Sequence, residues 1–386
     1  MENKPLLSIA IATKNREKYC IESIKSILLL LNNDDIEITV ADNSDTEQVK
    51  IFVEEINHPS IKYIYDNGSV SSIENFNRAM ELTTGEYVML IGDDDTILPS
   101  AIDIAKWAKY NNVDSVCCKK TITYFWPNAH PRFPKGLLKI PKIEKDKKIK
   151  IDPNKELVNL LEGGLVNYMF YNVPKSYHGI VKKSIMDEIK RITGNYYGAL
   201  SPDIFSVVAI SLISKNHYII NNPITIAGVC PSSTTSAQIK GAHAGLLKDM
   251  PHFKNRKEKY TWSSKIPEFY SVTTTWGDSG LNALRSMGRS DYEFFFNVYP
   301  LIAQSILMNR STILSLVIRE SEILRKKLEK NFIEYWSLTI FAAIKLILDK
   351  VVVVLKNNID KEGKKEGIEN FEQLFEYLNK NKKNNL

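Results

Sequence analysis

The stretch Tyr87-Val88-Met89-Leu90-Ile91-Gly92-Asp93-Asp94-Asp95-Thr96-Ile97-Leu98-Pro99 constrains the chain more than any other. Its opening apolar run is too short for a helix and predicts a buried strand. The run breaks at a glycine into three adjacent carboxylates. Like charges side by side repel, so a fold that keeps them must offset that cost. Hard cations such as Mg²⁺ take oxygen ligands and are held by one or two carboxylates with substrate phosphates. In open α/β sheets, ligands sit just outside the carboxyl ends of strands. The plainer alternative is a solvated acidic turn that leads into the next helix.

The flanking sequence supplies such a sheet. Leu7–Ala12, Ile36–Ala41 and Ile61–Ile64 predict strands, and Val113–Cys118 a further one. Helices are predicted between them. Ile21, Ile24, Leu28 and Leu31 recur at the helical period, and Asn32 and Asn33 stop that helix. A second helix spans about 47–57. Ser71-x-x-Glu74 has the form of a capping box for a third, with Ile73, Phe76 and Met80 inward and Gly85 placed to end it. Ser100-x-x-Asp103 opens a fourth. Strands alternating with helices predict an α/β fold with a mostly parallel central sheet flanked by helices. No GxGxxG follows the first strand and no GxxxxGK[ST] occurs anywhere, which excludes the glycine-rich phosphate cradles.

Beyond Cys118 the pattern loosens. Tyr124–Lys150, rich in proline, lysine and aromatics, reads as a long loop. Leu157–Leu161 and Ile204–Ile213 read as helices. His178–Val181, Tyr218–Ile220 and Ile224–Ala227 read as strands. From about Arg256 the chain reads as helical, with Tyr292–Met308 and Thr312–Tyr335 carrying helical periods. The division expected is a catalytic domain over 1–230, a helical region over 231–378 and a disordered tail over 379–386.

Composition narrows the function classes. Hydrophobic residues are 44% and charged residues 25%, ordinary for a globular protein. The formal charge of +6 is concentrated in Lys135–Lys150, where seven lysines face Glu144 and Asp146. That run suits an anionic partner or a solvated loop. No basic stripe interleaved with aromatics points to nucleic acid. Cys20, Cys117, Cys118 and Cys230 form no CxxC pair or zinc-like spacing and read as core thiols in a reducing compartment. No signal peptide is read at the N-terminus. Tyr335–Leu355 is the most apolar stretch, but Lys345, Asp349 and Lys350 interrupt it.

Three segments together resemble the family 2 glycosyltransferases, which have the A-type nucleotide-diphospho-sugar fold. They are SIAIATKNR, EITVADNSD and NFNRAMELTTGEYVMLIGDDD, in the family's order and spacing over roughly the first 115 residues. The resemblance implies that Asp42 binds a uracil-like base and that Thr13, Asn15 and Arg16 line the nucleotide pocket. Arg78, with Asn75 on the same helix, would approach the diphosphate. Asp93 and Asp95 correspond to the acids of the family's DxD and would hold Mn²⁺ or Mg²⁺, with Asp94 near the donor sugar. SPDIF is similar to the family's acidic catalytic motif. It makes Asp203 the base, although the family's usual acidic pair is here Pro202-Asp203. His178 would sit near donor or acceptor, or be a core histidine.

The function implied is metal-dependent, inverting transfer of a sugar from a nucleotide-diphosphate donor, a UDP-sugar, to a growing bacterial surface glycan. Capsule, lipopolysaccharide or a lipid-linked oligosaccharide would be the acceptor. The expected place is the cytoplasm or the inner face of the cell membrane. An inactive family member serving as scaffold is one alternative. A sugar-1-phosphate nucleotidyltransferase is another, but Thr13-Lys14-Asn15-Arg16 is not the glycine-rich loop such an enzyme needs. Trp336, Phe341, Ile344 and Leu348 predict an apolar helix face beside Lys345 and Lys350, suited to peripheral membrane contact or to a homo-oligomer.

Overall fold

A computed structural model describes residues 4–30, 35–142, 147–233, 236, 244–253, 259–359 and 363–385. Strands β1 (Leu7–Thr13), β2 (Ile36–Asp42), β3 (Ile61–Tyr65) and β4 (Tyr87–Ile91) pair in parallel in the order β3-β2-β1-β4. The residues on both faces of the inner strands are mostly apolar, with Ser8, Glu37 and Thr39 buried among them. In β4, Val88 and Leu90 join one core, while Tyr87, Met89 and Ile91 join the other. Strands buried on both faces read as continuous apolar runs, and helices must cover each side. The connecting helices are α1 (Glu17–Leu28), α2 (Gln48–Ile56) and α3 (Ser72–Glu81).

The register sets the site. Thr13 faces Asp42 across β1 and β2, and Ile11 faces Ile91 across β1 and β4, so the polar ends of three strands meet at one edge.

After the acids the chain leaves this sheet. β5 (Thr96–Ile97) belongs to a second sheet, and α4 (Ser100–Tyr110) returns the chain to β6 (Ser115–Cys118) of the first. The same crossing recurs at β7 (Ile122–Phe125). The next elements are β8 (Leu137–Ile140), β9 (Lys148–Ile151), α5 (Pro153–Glu162), β10 (Gly179–Lys182), α6 (Lys183–Thr193) and α7 (Pro202–Ile213). β11 (His217–Ile220) then passes into β12 (Thr225–Val229), the third crossing. The large sheet runs β3-β2-β1-β4-β10-β6-β11-β9, with β10 antiparallel to both its neighbours. It is parallel where the site lies and mixed beyond.

The ribbon β13 (Ala244–Leu246) and β14 (Phe269–Ser271) precedes helices α8 (Val272–Ser286), α9 (Val298–Asn309), α10 (Leu314–Lys327) and α11 (Phe332–Ile359). β15 (Gly363–Glu366) and α12 (Phe371–Asn385) then return to the second sheet, whose order is β15-β8-β7-β12-β5. Phe371, Leu374 and Leu378 recur on one face of α12 and pack with Tyr124 and Trp126. That anchoring carries the helix through Asn385, into the segment read from sequence as a tail.

Several expectations are corrected. The stretch Tyr124–Lys150 is not a loop: β8, β9 and the end of β7 lie in it. Single short strands among prolines carry no clear period. Residues 143–146, inside the lysine-rich run, lie outside the described residues. Gly85 does not cap α3, which ends at Glu81 with Leu82 as its C-cap. A Cβ at Gly85 would stand 2.5 Å from Ser8 Oγ and 2.8 Å from Ser8 N, so the glycine permits close approach to β1. Ser71 does cap α3, its hydroxyl accepting from Glu74 N. Helix α1 ends at Leu28, while Leu31, Asn32 and Asn33 lie outside the described residues, as does Arg256. Tyr292–Met308 is not one helix. A 3₁₀ segment, Ser290–Phe295, gives way to α9 at Val298. Glu329, at φ 54°, breaks Thr312–Tyr335 into α10 and α11.

Candidate active site

The ends of β1 and β2 are laced together. Asn15 takes the left-handed conformation (φ 54°), which asparagine tolerates, and turns the chain out of β1. Its amide nitrogen donates to Asp45 Oδ2 at 2.9 Å, and its Oδ1 accepts from Asp45 N at 2.8 Å. Asp42 is fully buried. Ser44 N donates to its Oδ1 and the Tyr63 hydroxyl to its Oδ2, each at 2.8 Å. A carboxylate offers about four lone-pair directions, so acceptor capacity remains for a ligand. From α3, Asn75 Nδ2 donates to the carbonyls of Thr13 and Ala41. Its buried Oδ1 has no hydrogen-bond partner. One turn on, Arg78 Nη1 lies 3.6 Å from Asp66 Oδ2 and is also buried without a hydrogen bond.

The three acids sit where the chain passes from the first sheet to the second, and each is held differently. Thr13 Oγ1 donates to Asp93 Oδ2 at 2.7 Å and Arg16 Nε does so at 3.0 Å. Arg16 Nη2 stands 2.5 Å from Asp93 Oδ1, yet that oxygen has no hydrogen bond of good geometry. Asp94 Oδ2 accepts from Cys230 N at 2.8 Å, and its main-chain carbonyl accepts from Trp126 Nε1 at 3.0 Å. Asp95 accepts four bonds. Gly92 N (2.6 Å), the Tyr177 hydroxyl (3.0 Å) and His178 Nε2 (3.2 Å) reach Oδ2, and Gly228 N (2.6 Å) reaches Oδ1.

These environments split the acids electrostatically. Burial drives Asp93 and Asp94 above the usual carboxylate range against the pull of Arg16, and each feels another acid of the group. Burial also opposes the charge on Asp95, but His178 and the amides of Gly228 and Gly92 hold it below that range.

Asp203 enters from α7. It stands in the first turn after Pro202 rather than at the capping position, which is Ser201. Leu200 N and Ser201 N donate to Ser279 Oγ of α8, which fixes the approach. The carboxylate takes a hydrogen bond from the Tyr168 hydroxyl. Burial pushes it up to about 6, with His178 and Tyr168 pulling down and Asp95 pushing up. Asp203, His178 and Asp95 therefore share one electrostatic neighbourhood. His178, itself at φ 57°, spends Nδ1 on Thr225 Oγ1 (2.9 Å) and Nε2 on Asp95, so it orients an acid and ties β12 to the loop.

Thr13, Arg16, His178 and the three acids thus converge, with Asp203 beside them and Asp42, Asn75 and Arg78 at the adjoining strand ends. Asn15 instead braces the β1–β2 edge. Trp126, Tyr168, Tyr177 and Gly228 are not among the residues that the sequence marks, and Cys230 reads there only as a core thiol. Trp126, Gly228 and Cys230 lie on or beside the second sheet, Tyr168 and Tyr177 between α5 and β10, and no local spacing signals their roles. Among the described residues no group of three or more histidine, cysteine or acidic side chains is arranged to hold a metal. Two carboxylates completed by substrate phosphates suffice for Mg²⁺, and the unbonded Asp93 Oδ1 beside Asp94 fits that pattern.

The sequence profile of glycosyl transferase family 2 matches residues 8–156, the segment that carries the ends of β1, β2 and β4. Over that segment, less than half of its length, the chain is similar to glycosyl transferase family 2. The match stops short of His178 and Asp203. A putative colanic acid biosynthesis glycosyl transferase of Escherichia coli is 32% identical over 146 residues, 35% of this chain and 51% of that one. The abequosyltransferase of Salmonella typhimurium is 28% identical over 127 residues, 31% and 37% of the two chains. The chain spans about half the length of the first of these curated relatives and less of the second. Staphylococcus aureus TarS 1–349 in complex with UDP-GlcNAc superposes at a TM-score of 0.49 with 14% identity, covering 87% of this chain and 89% of that one.

Proposed function

We propose that the chain transfers a sugar from a nucleotide-diphosphate donor, a UDP-sugar, to a hydroxyl of a growing bacterial surface glycan, inverting the anomeric carbon. One observation carries this reading. A family 2 segment gathers three acids, Thr13 and Arg16 at the carboxyl ends of parallel strands, and α7 sets a carboxyl with a value of about 6 beside them. A base poised near neutral pH suits removal of a proton from an acceptor hydroxyl. The acceptor oxygen attacks C1, the C1–O bond to the diphosphate breaks, the nucleoside diphosphate leaves, and Asp203 keeps the proton.

Other residues supply binding. Asp42 retains acceptor capacity for the imide N–H of uracil. Arg78 Nη1, without a hydrogen bond, offers a charge-assisted donor to the diphosphate. A divalent cation would supply charge neutralisation on the departing diphosphate. Asp93 and Asp94 offer it oxygens with fewer protein donors than Asp95, whose oxygens already accept four. The acceptor class is supported by the relatives, one assigned to colanic acid biosynthesis and one named as an abequosyltransferase.

The second reading is an inactive family member serving as a scaffold. It draws on the Arg16–Asp93 pair and the saturated Asp95, which let the acid loop satisfy itself. Incubating the chain with a panel of nucleotide sugars, with and without Mn²⁺, and assaying released nucleoside diphosphate separates the two. UDP release from a UDP-sugar that Asp203→Asn abolishes supports the transferase. No turnover and no thermal shift with any nucleotide and metal supports the scaffold.

A further inference from the structure

Helix α11 is anchored to the body near its start, where Tyr335, Thr339 and Ala342 are buried and the Tyr335 hydroxyl donates to the Ser321 carbonyl. Trp336, expected on the free face, instead bonds Glu322 and is partly covered. The rest of the helix shows water an apolar surface. Ile340, Phe341, Ile344, Leu348, Val351 and Val352 are between 48% and 69% exposed. At 3.6 residues per turn, the stripe from Ile347 to Val352 subtends about 140°. Lys345 lies about 20° outside one edge and Lys350 about 60° outside the other, by the same geometry. Both lysines are exposed, and Glu334 and Asp349 are the acids of this stretch.

The apolar surface does not stop at the helix. A cavity of about 1030 Å³ runs along it, lined by Val166, Phe170, Met308 and Ile347 together with Arg310 and Lys350. Phe170 is 71% and Met308 43% exposed. Asp349 is the acid on that lining.

We propose that α11 lies in the plane of an anionic phospholipid leaflet, its apolar stripe among the acyl chains and Lys345, Lys350 and Arg310 at the phosphates. An in-plane helix of this kind combines a broad apolar face with basic borders. Crossing the bilayer is a different matter: among the described residues no helix is long and apolar enough to do so. A second copy is the competing occupant. Two packed helices need only a narrow seam, whereas this stripe is broader and continues past the helix to Phe170 and Met308. Paired copies would also bring like-charged borders together. The site described above is not involved, so the inference stands or falls apart from the transferase reading.

The test is flotation of the full chain with vesicles of equal parts phosphatidylglycerol and phosphatidylcholine, and with phosphatidylcholine alone, alongside light scattering for mass. Wild type should float with the anionic vesicles. The variant Phe341→Ser/Ile344→Ser/Leu348→Ser should lose about tenfold or more of that binding with an unchanged thermal transition, since those side chains are exposed. Lys345→Glu/Lys350→Glu should lose the preference for anionic lipid. Failure of wild type to float, or equal flotation of the triple serine variant, overturns the inference. A wild-type dimer that the serine variant splits, without flotation, assigns the stripe to a second copy.

Discussion

Asp203→Asn separates stability from function in opposite directions. The carboxyl rises from 3.8 to about 6, mainly because the fold takes it out of water. A shift of about two pH units corresponds to about 3 kcal/mol. The sign follows from linkage. Below the unfolded value both states carry the proton and the group contributes nothing. Between the two values the folded state holds a proton that the unfolded state has released, so stability falls as pH rises. Above about 6 the full penalty applies. Water reaching the partly exposed side chain makes about 3 kcal/mol an upper bound.

Asparagine keeps the shape and still accepts from Tyr168, but cannot ionise. The variant should therefore be more stable than wild type at pH 8, by up to about 3 kcal/mol or several degrees. That advantage should fade as pH falls and be gone near pH 4. Thermal unfolding of both proteins across that range measures the difference, in which the other titrating groups largely cancel. Donor turnover by wild type should rise through pH 6 as the base deprotonates, and the variant should show none. A stability difference that is flat with pH would refute the desolvated environment argued for Asp203. A variant that turns over at the wild-type rate would refute the base.

The neighbouring contacts make further predictions. A Cβ at Gly228 would stand 1.7 Å from the Asp94 carbonyl oxygen. Gly228→Ala should cost about 1–3 kcal/mol in thermal or urea unfolding and most of the activity, while Gly245→Ala, with nothing near its Cβ, should be neutral within about 0.5 kcal/mol. Asp95→Ala strands four donors and should lower the unfolding temperature sharply, whereas Asp94→Ala strands the Cys230 amide and should lower it less, yet remove the Mn²⁺ dependence of UDP binding seen by calorimetry. Asp42→Asn should weaken UDP binding by about tenfold, the worth of a charge-assisted hydrogen bond, and leave GDP binding as weak as in wild type.

What the sequence made legible was local. Strand β4 is apolar through its whole length and β1 and β2 are largely so, with Ser8, Glu37 and Thr39 as buried exceptions, so they announce themselves, and each leads into the polar residues that form the site. The Ser71 cap and the turn at Pro202 are likewise written in neighbouring residues. What stayed hidden was the second sheet. Its strands are short and scattered from Thr96 to Glu366, and β15 is Gly363-Lys364-Lys365-Glu366, which has no strand-like pattern. Its pairing with β8 joins residues more than two hundred positions apart. Gly85 shows the same limit: a glycine after a helix reads as a cap, but here its lack of a side chain serves a strand nearly eighty residues earlier.

That hidden sheet also decides what the three acids do. From sequence they are equivalent apart from spacing, and the spacing favours Asp93 and Asp95 as a pair. In the fold, Gly92 N comes from the end of β4 and Gly228 N from β12, and both meet on Asp95. Asp95 thereby ties the two sheets together, and removing its charge would loosen both. Asp93 is matched by Arg16, so its charge is already half spent inside the protein. Asp94 is held by the Cys230 amide on Oδ2, by Arg16 Nη1 at 3.7 Å from the same oxygen, and by the Trp126 bond to its carbonyl. Trp126 is in turn wedged by Phe371 of α12. The helix nearest the C-terminus therefore bears on one of the two acids offered above to a cation. Loss of that wedge should slacken Asp94 while leaving Asp93 and Asp95 in place.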